Sequence, residues 1–431
     1  MNNNNYNGKV REFNMPDGNL VEKTKYLFTF IGAGGMLMSA AMGPGTLSSA
    51  ITSGSRYGYM LLWVIIISGI FNGLVAYAGG KIASLTGKNV YEFFDDKYGT
   101  KFTKSLMIVV LITWLLVIYS QGAALLELVS FFVGTDGSIA ILVFILVEIA
   151  VGYTFTKDTI TANRIASVMV TITSLLFLIN IFVVKPNGLA VARGLVPKLP
   201  PLEESLMVAA IIGSSAPGTS AAWYSFSVKE EGYTNPKNLK FIAWDQIYFS
   251  IVFTIFVMGA FLSAAAVLNP QGIEVNKVLD AAIALEPLAG SAAKWIFALG
   301  FFGALFTTVG GMSNLLGLGI NTFRDLGNFN KKAYEKTDDS IKKFIWLGVL
   351  ASTLGGLLAK GSVIKLLVNF IGLLNVGGFV IILLITLNLS NKKFAGEYTN
   401  KPITTIAFWL LVAANFYGVV TYLMKLINII S

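Results

Sequence analysis

Residues 43–46 read Gly43-Pro44-Gly45-Thr46 and residues 216–219 read Ala216-Pro217-Gly218-Thr219, each inside a long apolar stretch. Proline removes a backbone donor and glycine lowers helix propensity, so a helix crossing either stretch breaks near its midpoint. Serine flanks both breaks: Ser48 and Ser49 follow the first, and Ser214 and Ser215 precede the second. Paired interruptions in corresponding positions of two halves point to the midplane site of a secondary transporter built from inverted repeats.

The composition agrees with a membrane chain. Of 431 residues, 55% are hydrophobic and only 13% charged, and the mean hydropathy is +0.70. Many stretches reach the roughly 20 apolar residues that span a bilayer. With no cysteine and no histidine, disulfides, thiolate metal sites and imidazole chemistry are excluded. The net charge of +9 is spread between apolar segments rather than gathered in one patch, which orients a membrane protein and argues against nucleic acid. The Asn-rich first 20 residues lack the apolar core of a signal peptide.

Working outward from the first break, apolar spans fall at about 28–57, 59–86, 105–131, 138–156 and 163–184, then 205–228, 241–268, 292–322, 343–359, 363–389 and 403–427. This predicts an all-α membrane protein of eleven transmembrane helices: five, five inverted, and one extra, with the first and sixth broken. A cytoplasmic N-terminal arm covers 1–26, the first repeat 27–184, an external loop 185–204, the second repeat 205–390, and a loop with the eleventh helix 391–431. Basic residues such as Lys9, Arg11, Lys88, Lys97, Lys237 and Lys343 place the N-terminus in the cytoplasm and the C-terminus outside a bacterial plasma membrane.

Each break starts a second half-helix, near Leu47 and near Ser220, whose N-terminus offers N–H groups and a partial positive charge. The substrate-binding set is accordingly Gly43, Pro44, Gly45, Thr46, Ser48, Ser214, Ser215, Ala216, Pro217, Gly218 and Thr219. Small residues leave room for a solute larger than a bare ion, and helix N-termini suit an oxyanion. Small hydroxylated residues are also ordinary close-packing residues in membranes. Intramembrane polar residues supply candidates for coupling a proton or Na+: Glu127, Gln121, Asn369 and Asn375, the amides having interhelical hydrogen bonding as an equal reading. Glu148 either serves the same role or pairs with Arg164. No cofactor is called for, and the absence of a nucleophile, histidine base or phosphate loop excludes an enzyme.

The motifs carry a resemblance over nearly the whole chain. Gly43-Pro44-Gly45-Thr46 with Ser55-Arg56-Tyr57-Gly58-Tyr59, then Thr86-Gly87-Lys88-Asn89, Arg193-Gly194-Leu195-Val196-Pro197, Leu285-Glu286-Pro287-Leu288 and Ser390-Asn391-Lys392-Lys393 resemble the Nramp divalent-metal transporters. The resemblance implies the leucine-transporter fold with alternating access. It also implies a lost metal site. Gly43 stands where the family has a ligating Asp, Thr46 where it has Asn, Ala216 where it has Met, Gly218 where it has a His tied to proton movement, and Ile371 where it has a Gln. Glu127 falls near acidic residues of the family's third helix.

A site without carboxylate, thioether or imidazole is a poor one for dehydrated manganese or iron. The leading expectation is therefore a secondary transporter of a small organic or inorganic anion or a zwitterion. The alternatives are a carrier of a divalent cation such as hydrated Mg2+, and a non-transporting receptor or scaffold. A central cavity larger than an ion favours the anion or zwitterion over the divalent cation, and breaks that open onto an aqueous path favour a transporter over the receptor or scaffold.

Overall fold

The computed structural model describes residues 18, 19, 22, 43–157, 159–327 and 337–427. Among them the regular structure is helical, with no strand. The first half of the first span lies outside the described residues. Its second half, α1 (Pro44–Tyr57), begins at the proline itself, behind an extended Gly43 at φ −71°, ψ 173°. The start expected near Leu47 is thus three residues early, because proline at the first helical position lacks only a donor that has no partner there anyway.

The chain continues through α2 (Leu62–Thr86), the short α3 (Val90–Tyr98), α4 (Thr100–Val133), α5 (Ser138–Lys157), α6 (Thr159–Val184) and α7 (Gly188–Gly194). The polar segment with Glu92, Asp95 and Asp96 is α3. Asn89 Oδ1 accepts from the N–H groups of Tyr91 and Glu92, while Glu92 Oε2 accepts from Asn89 N, a capping box that fixes its start. The sixth span is broken as expected: α8 (Leu206–Ser215) and α9 (Thr219–Glu230) are separated by Ala216, Pro217 and Gly218. Then follow α10 (Leu239–Val267), α11 (Ala293–Asp325), α12 (Thr337–Leu358), α13 (Val363–Gly372), α14 (Leu374–Leu389) and α15 (Pro402–Leu426). The tenth span, expected to be continuous, is interrupted at Leu373.

Among the described residues, eight helices are long and apolar enough to cross a bilayer. The halves α1, α8 and α9 are too short to do so singly. The outer helices face lipid: α5 exposes Ile139, Leu142, Leu146, Ile149 and Tyr153 at helical spacing while burying Phe144, Glu148, Val151 and Phe155. Such an apolar exposed stripe needs a hydrocarbon neighbour.

Inside the bundle, glycines let helix backbones touch. A Cβ on Gly79 of α2 would lie 1.8 Å from the carbonyl oxygen of Ala221 on α9. On α4, a Cβ on Gly122 would lie 1.7 Å from Ser352 O of α12, and one on Gly355 of α12 would lie 1.8 Å from Tyr119 O of α4. The α4–α12 contact is therefore a reciprocal glycine crossing, the small-residue packing that holds helices together where no hydrophobic driving force acts between them.

Gly122→Ala should force that crossing apart and cost about 1–3 kcal/mol, lowering the melting temperature in detergent. Gly311→Ala, where a Cβ meets nothing within 4 Å, should leave it unchanged. Equal melting of both variants would contradict the crossing.

Candidate functional site

The start of α1 and the end of α8 are stitched together across 168 residues of sequence. Thr46 Oγ1 donates to Ser214 O at 3.1 Å, and the hydroxyls of Ser49 and Ser214 lie 3.0 Å apart. Beside this seam lies a cavity of ≈ 20 Å³, measured over the positions open to the centre of a water-sized sphere. About 10–15 Å³ on that measure holds one water. The room is that of a single water or ion.

Of the residues expected to bind substrate, Gly43, Gly45, Thr46 and Ser214 line the cavity. Gln121 of α4, expected to serve coupling, lines it too, together with Ser220, Trp223, Thr308, Met312, Ile371 and Leu374. No acidic or basic side chain is among them. Pro44, Ser48, Ser215, Ala216, Pro217, Gly218 and Thr219 are buried but stand behind the wall.

The expectation of room for a large solute is corrected by Ile371. A Cβ on Gly45 would lie 3.0 Å from Ile371 Cγ1, so the isoleucine fills the space that glycine leaves. Gly218, expected to face substrate, is a packing glycine: its Cβ would lie 1.9 Å from Gly378 O on α14.

The half-helix N-termini are also less free than the break pattern suggests. Thr46 N and Leu47 N both donate to Gly43 O, Ser220 N to Pro217 O, and Ala221 N to Gly218 O. Gly218 N donates to Asn415 Oδ1 at 2.9 Å, and Asn415 Nδ2 returns a bond to Ala216 O at 3.3 Å. One asparagine of α15 thus satisfies both edges of the sixth break. These engaged amides remove much of what would hold an anion.

The other coupling candidates sit away from the cavity wall. Glu127 Oε1 accepts from Val278 N at 2.7 Å, tying α4 to the 3-10 segment Val278–Leu285. Asn375 Nδ2 donates to Ala209 O and Gly372 O, each at 2.9 Å. Asn369 contacts α15, where its carbonyl accepts from the Tyr422 hydroxyl and its Oδ1 from Lys425 Nζ at 3.4 Å. Glu148 accepts from Ser352 Oγ at 2.5 Å; the side chain of Arg164 lies outside the described residues.

Gln121 is different. It is fully buried, and neither its Oε1 nor its Nε2 has a hydrogen-bond partner. Thr308 Oγ1 and Trp223 Nε1, on the same wall, are also without partners. The sequence reading missed Thr308, Met312, Trp223, Leu374 and Asn415. Asn415 was open to the same intramembrane-amide criterion that singled out Asn369 and Asn375. The others carry no break or charge to mark them.

The Nramp family, described as natural resistance-associated macrophage protein-like, matches residues 34–425. The divalent metal cation transporter MntH of Bacillus subtilis is 25% identical over 435 residues, covering 96% of this chain and 94% of that protein. MntH of Mycobacterium leprae is 22% identical, covering 91% and 88%. Among solved structures, the Eremococcus coleocola manganese transporter bound to an aromatic bis-isothiourea compound superposes with a TM-score of 0.72 at 14% identity, covering 97% of this chain and 90% of that one. MhsT in complex with L-phenylalanine gives 0.59 at 14% identity, covering 90% and 97%. At these identities the structural likeness concerns the fold alone, the leucine-transporter fold.

The two break glycines should part company on substitution. Gly218→Ala should reduce folded yield and melting temperature, since the opposing atom is backbone and cannot yield. Gly45→Ala should stay folded, because an isoleucine side chain can shift by tenths of an ångström, and should lose transport. Size-exclusion profiles and thermal melts check this; a stable Gly218→Ala protein would contradict it.

Proposed function

The chain belongs to the Nramp family and is a membrane transporter, and from that premise we propose that it carries a small inorganic cation of the divalent class, rather than the anion or zwitterion that its hydroxyl-rich breaks suggest. The observation that carries this is the size and lining of the cavity: one water-sized space whose described wall is uncharged and carries several hydroxyl and amide oxygens beside apolar side chains. An organic solute does not fit there, and the amides expected to hold an anion are engaged by the protein. The names of the Bacillus and Mycobacterium relatives favour the same class.

Within that class the lining favours a hard ion. Mg2+ and Ca2+ take oxygen ligands, whereas softer transition metals draw affinity from sulfur and imidazole; among the described residues this wall sets five oxygen-bearing side chains, Thr46, Gln121, Ser214, Ser220 and Thr308, against one thioether, Met312, and no imidazole. Mg2+ also dehydrates reluctantly, so it exchanges some of its waters for wall oxygens and keeps the rest when the broken helices part during alternating access. A proton or Na+ accompanies it. Of the two carboxyls considered, Glu148 suits proton exchange better, with Oε2 unpaired, than Glu127, which ties down a loop. The charge pattern supports an N-terminus on the cytoplasmic face of the plasma membrane.

The test is flux through the purified wild-type protein in proteoliposomes containing a magnesium-sensitive dye, with Mn2+, chloride and amino acids assayed in parallel. Saturable Mg2+ entry exceeding Mn2+ entry is expected. Amino acid or anion flux without divalent-cation flux would restore the rejected reading, and no flux of any kind would favour the receptor or scaffold.

A further inference from the structure

We propose that Gln121 Oε1 and Thr308 Oγ1 are direct ligands of the transported cation, so that substrate selection has moved from the two broken helices to the unbroken helices α4 and α11. This rests on the cation reading above and adds to it the atoms that choose the ion.

The grounds are burial, convergence and chemistry. Gln121 is fully buried and Thr308 nearly so, at 0% and 3% exposure. Both line the single-ion cavity, and Gln121 Oε1, Gln121 Nε2 and Thr308 Oγ1 make no hydrogen bond. A buried polar atom left unpaired is destabilising, and here three such atoms belong to two residues that line one small space. Several other buried amides donate to the protein: Asn375 to α8, Asn180 to Ala284 O, and Asn415 to the sixth break. Asn72 likewise leaves both amide atoms unpaired, but of the two only Gln121 lines the ion-sized space.

An amide oxygen and a hydroxyl oxygen are hard, neutral donors of the kind that bind magnesium and calcium. On the same wall, Gly43 O already accepts two amides and so offers the ion less than these two side chains do, whereas Thr46 Oγ1, as a donor to Ser214 O, keeps lone pairs that can join them. Two donors remain: Trp223 Nε1 and Gln121 Nε2, both unpaired. They suit a water that the ion brings with it when the broken helices part and the space widens, since the oxygen of that water keeps a lone pair.

The test exchanges donor softness at fixed shape. Gln121→Met keeps the length of the side chain and replaces the hard oxygen by a soft thioether. Thr308→Val keeps the branching and deletes the hydroxyl; Thr308→Ser restores it. In proteoliposomes, Gln121→Met should lower apparent Mg2+ affinity by at least about tenfold and raise Cd2+ uptake relative to Mg2+, inverting the wild-type preference. Thr308→Val should weaken Mg2+ affinity and Thr308→Ser should recover most of it, with melting temperatures near wild type throughout.

A purely structural role for Gln121 would not invert a metal preference. If wild type moves Mg2+ and both Gln121→Met and Thr308→Val keep its affinity and Mg2+/Cd2+ ratio, the ligand assignment fails, the two groups hold only water, and the cation reading stands. If wild type moves no divalent cation, the reading itself fails and this assignment with it.

Discussion

The seam between α1 and α8 is the constraint on which the site depends. Two helices interrupted by proline and glycine must each end inside a medium without water, where every unsatisfied backbone group is costly. The structure answers with short-range devices: Gly43 O collects two amides of α1, the hydroxyl of Thr46 crosses to Ser214 O, and Asn415 closes the sixth break from α15. Once these bonds are made, the breaks are largely self-satisfied. What they leave is a narrow space rather than a ring of reactive groups.

That outcome explains which parts of the architecture sequence makes visible. Apolar length and proline-glycine interruption are local properties, so the all-helical membrane class, the sixth break and the start of α1 at the first break could be read along the chain, but not the interruption at Leu373. The fate of each glycine could not. Gly45 and Gly218 occupy equivalent places in their motifs, yet one faces the side chain of Ile371 and the other the backbone of Gly378. The difference is made by α13 and α14, more than 150 residues from the second motif in sequence.

The same holds for the cavity wall. An amide in an apolar span is unusual and marks Gln121, but nothing in the sequence says that α4 passes the breaks at that residue, so the sequence alone points to coupling. Thr308 had no signal at all, since threonine in a membrane helix commonly bonds to the preceding turn, as its neighbour Thr307 does to Gly303 O. The resemblance sets Ile371 where the family has a Gln, but its approach to Gly45 depends on how α13 packs against α1. Tertiary contact, not residue type, decides these assignments.

The absence of charge among the described residues of the wall changes what the site can discriminate. At an effective dielectric of about 20, a carboxylate 4 Å from a dication contributes about 8 kcal/mol of attraction, twice the figure for two unit charges. A wall with that charge binds many dications strongly, and preference among them then follows ligand softness and the general order of transition-metal affinities. Without it, attraction comes from dipoles alone, and the cost of removing water becomes comparable with what the wall returns. Ions are then ranked by how well a few fixed oxygens replace particular waters. The stitching of α1 to α8 and the closeness of Ile371 fix the size of the space in which that replacement must occur, so the geometry of the seam and the chemistry of Gln121 and Thr308 act on the same quantity: the free energy of the partly dehydrated ion.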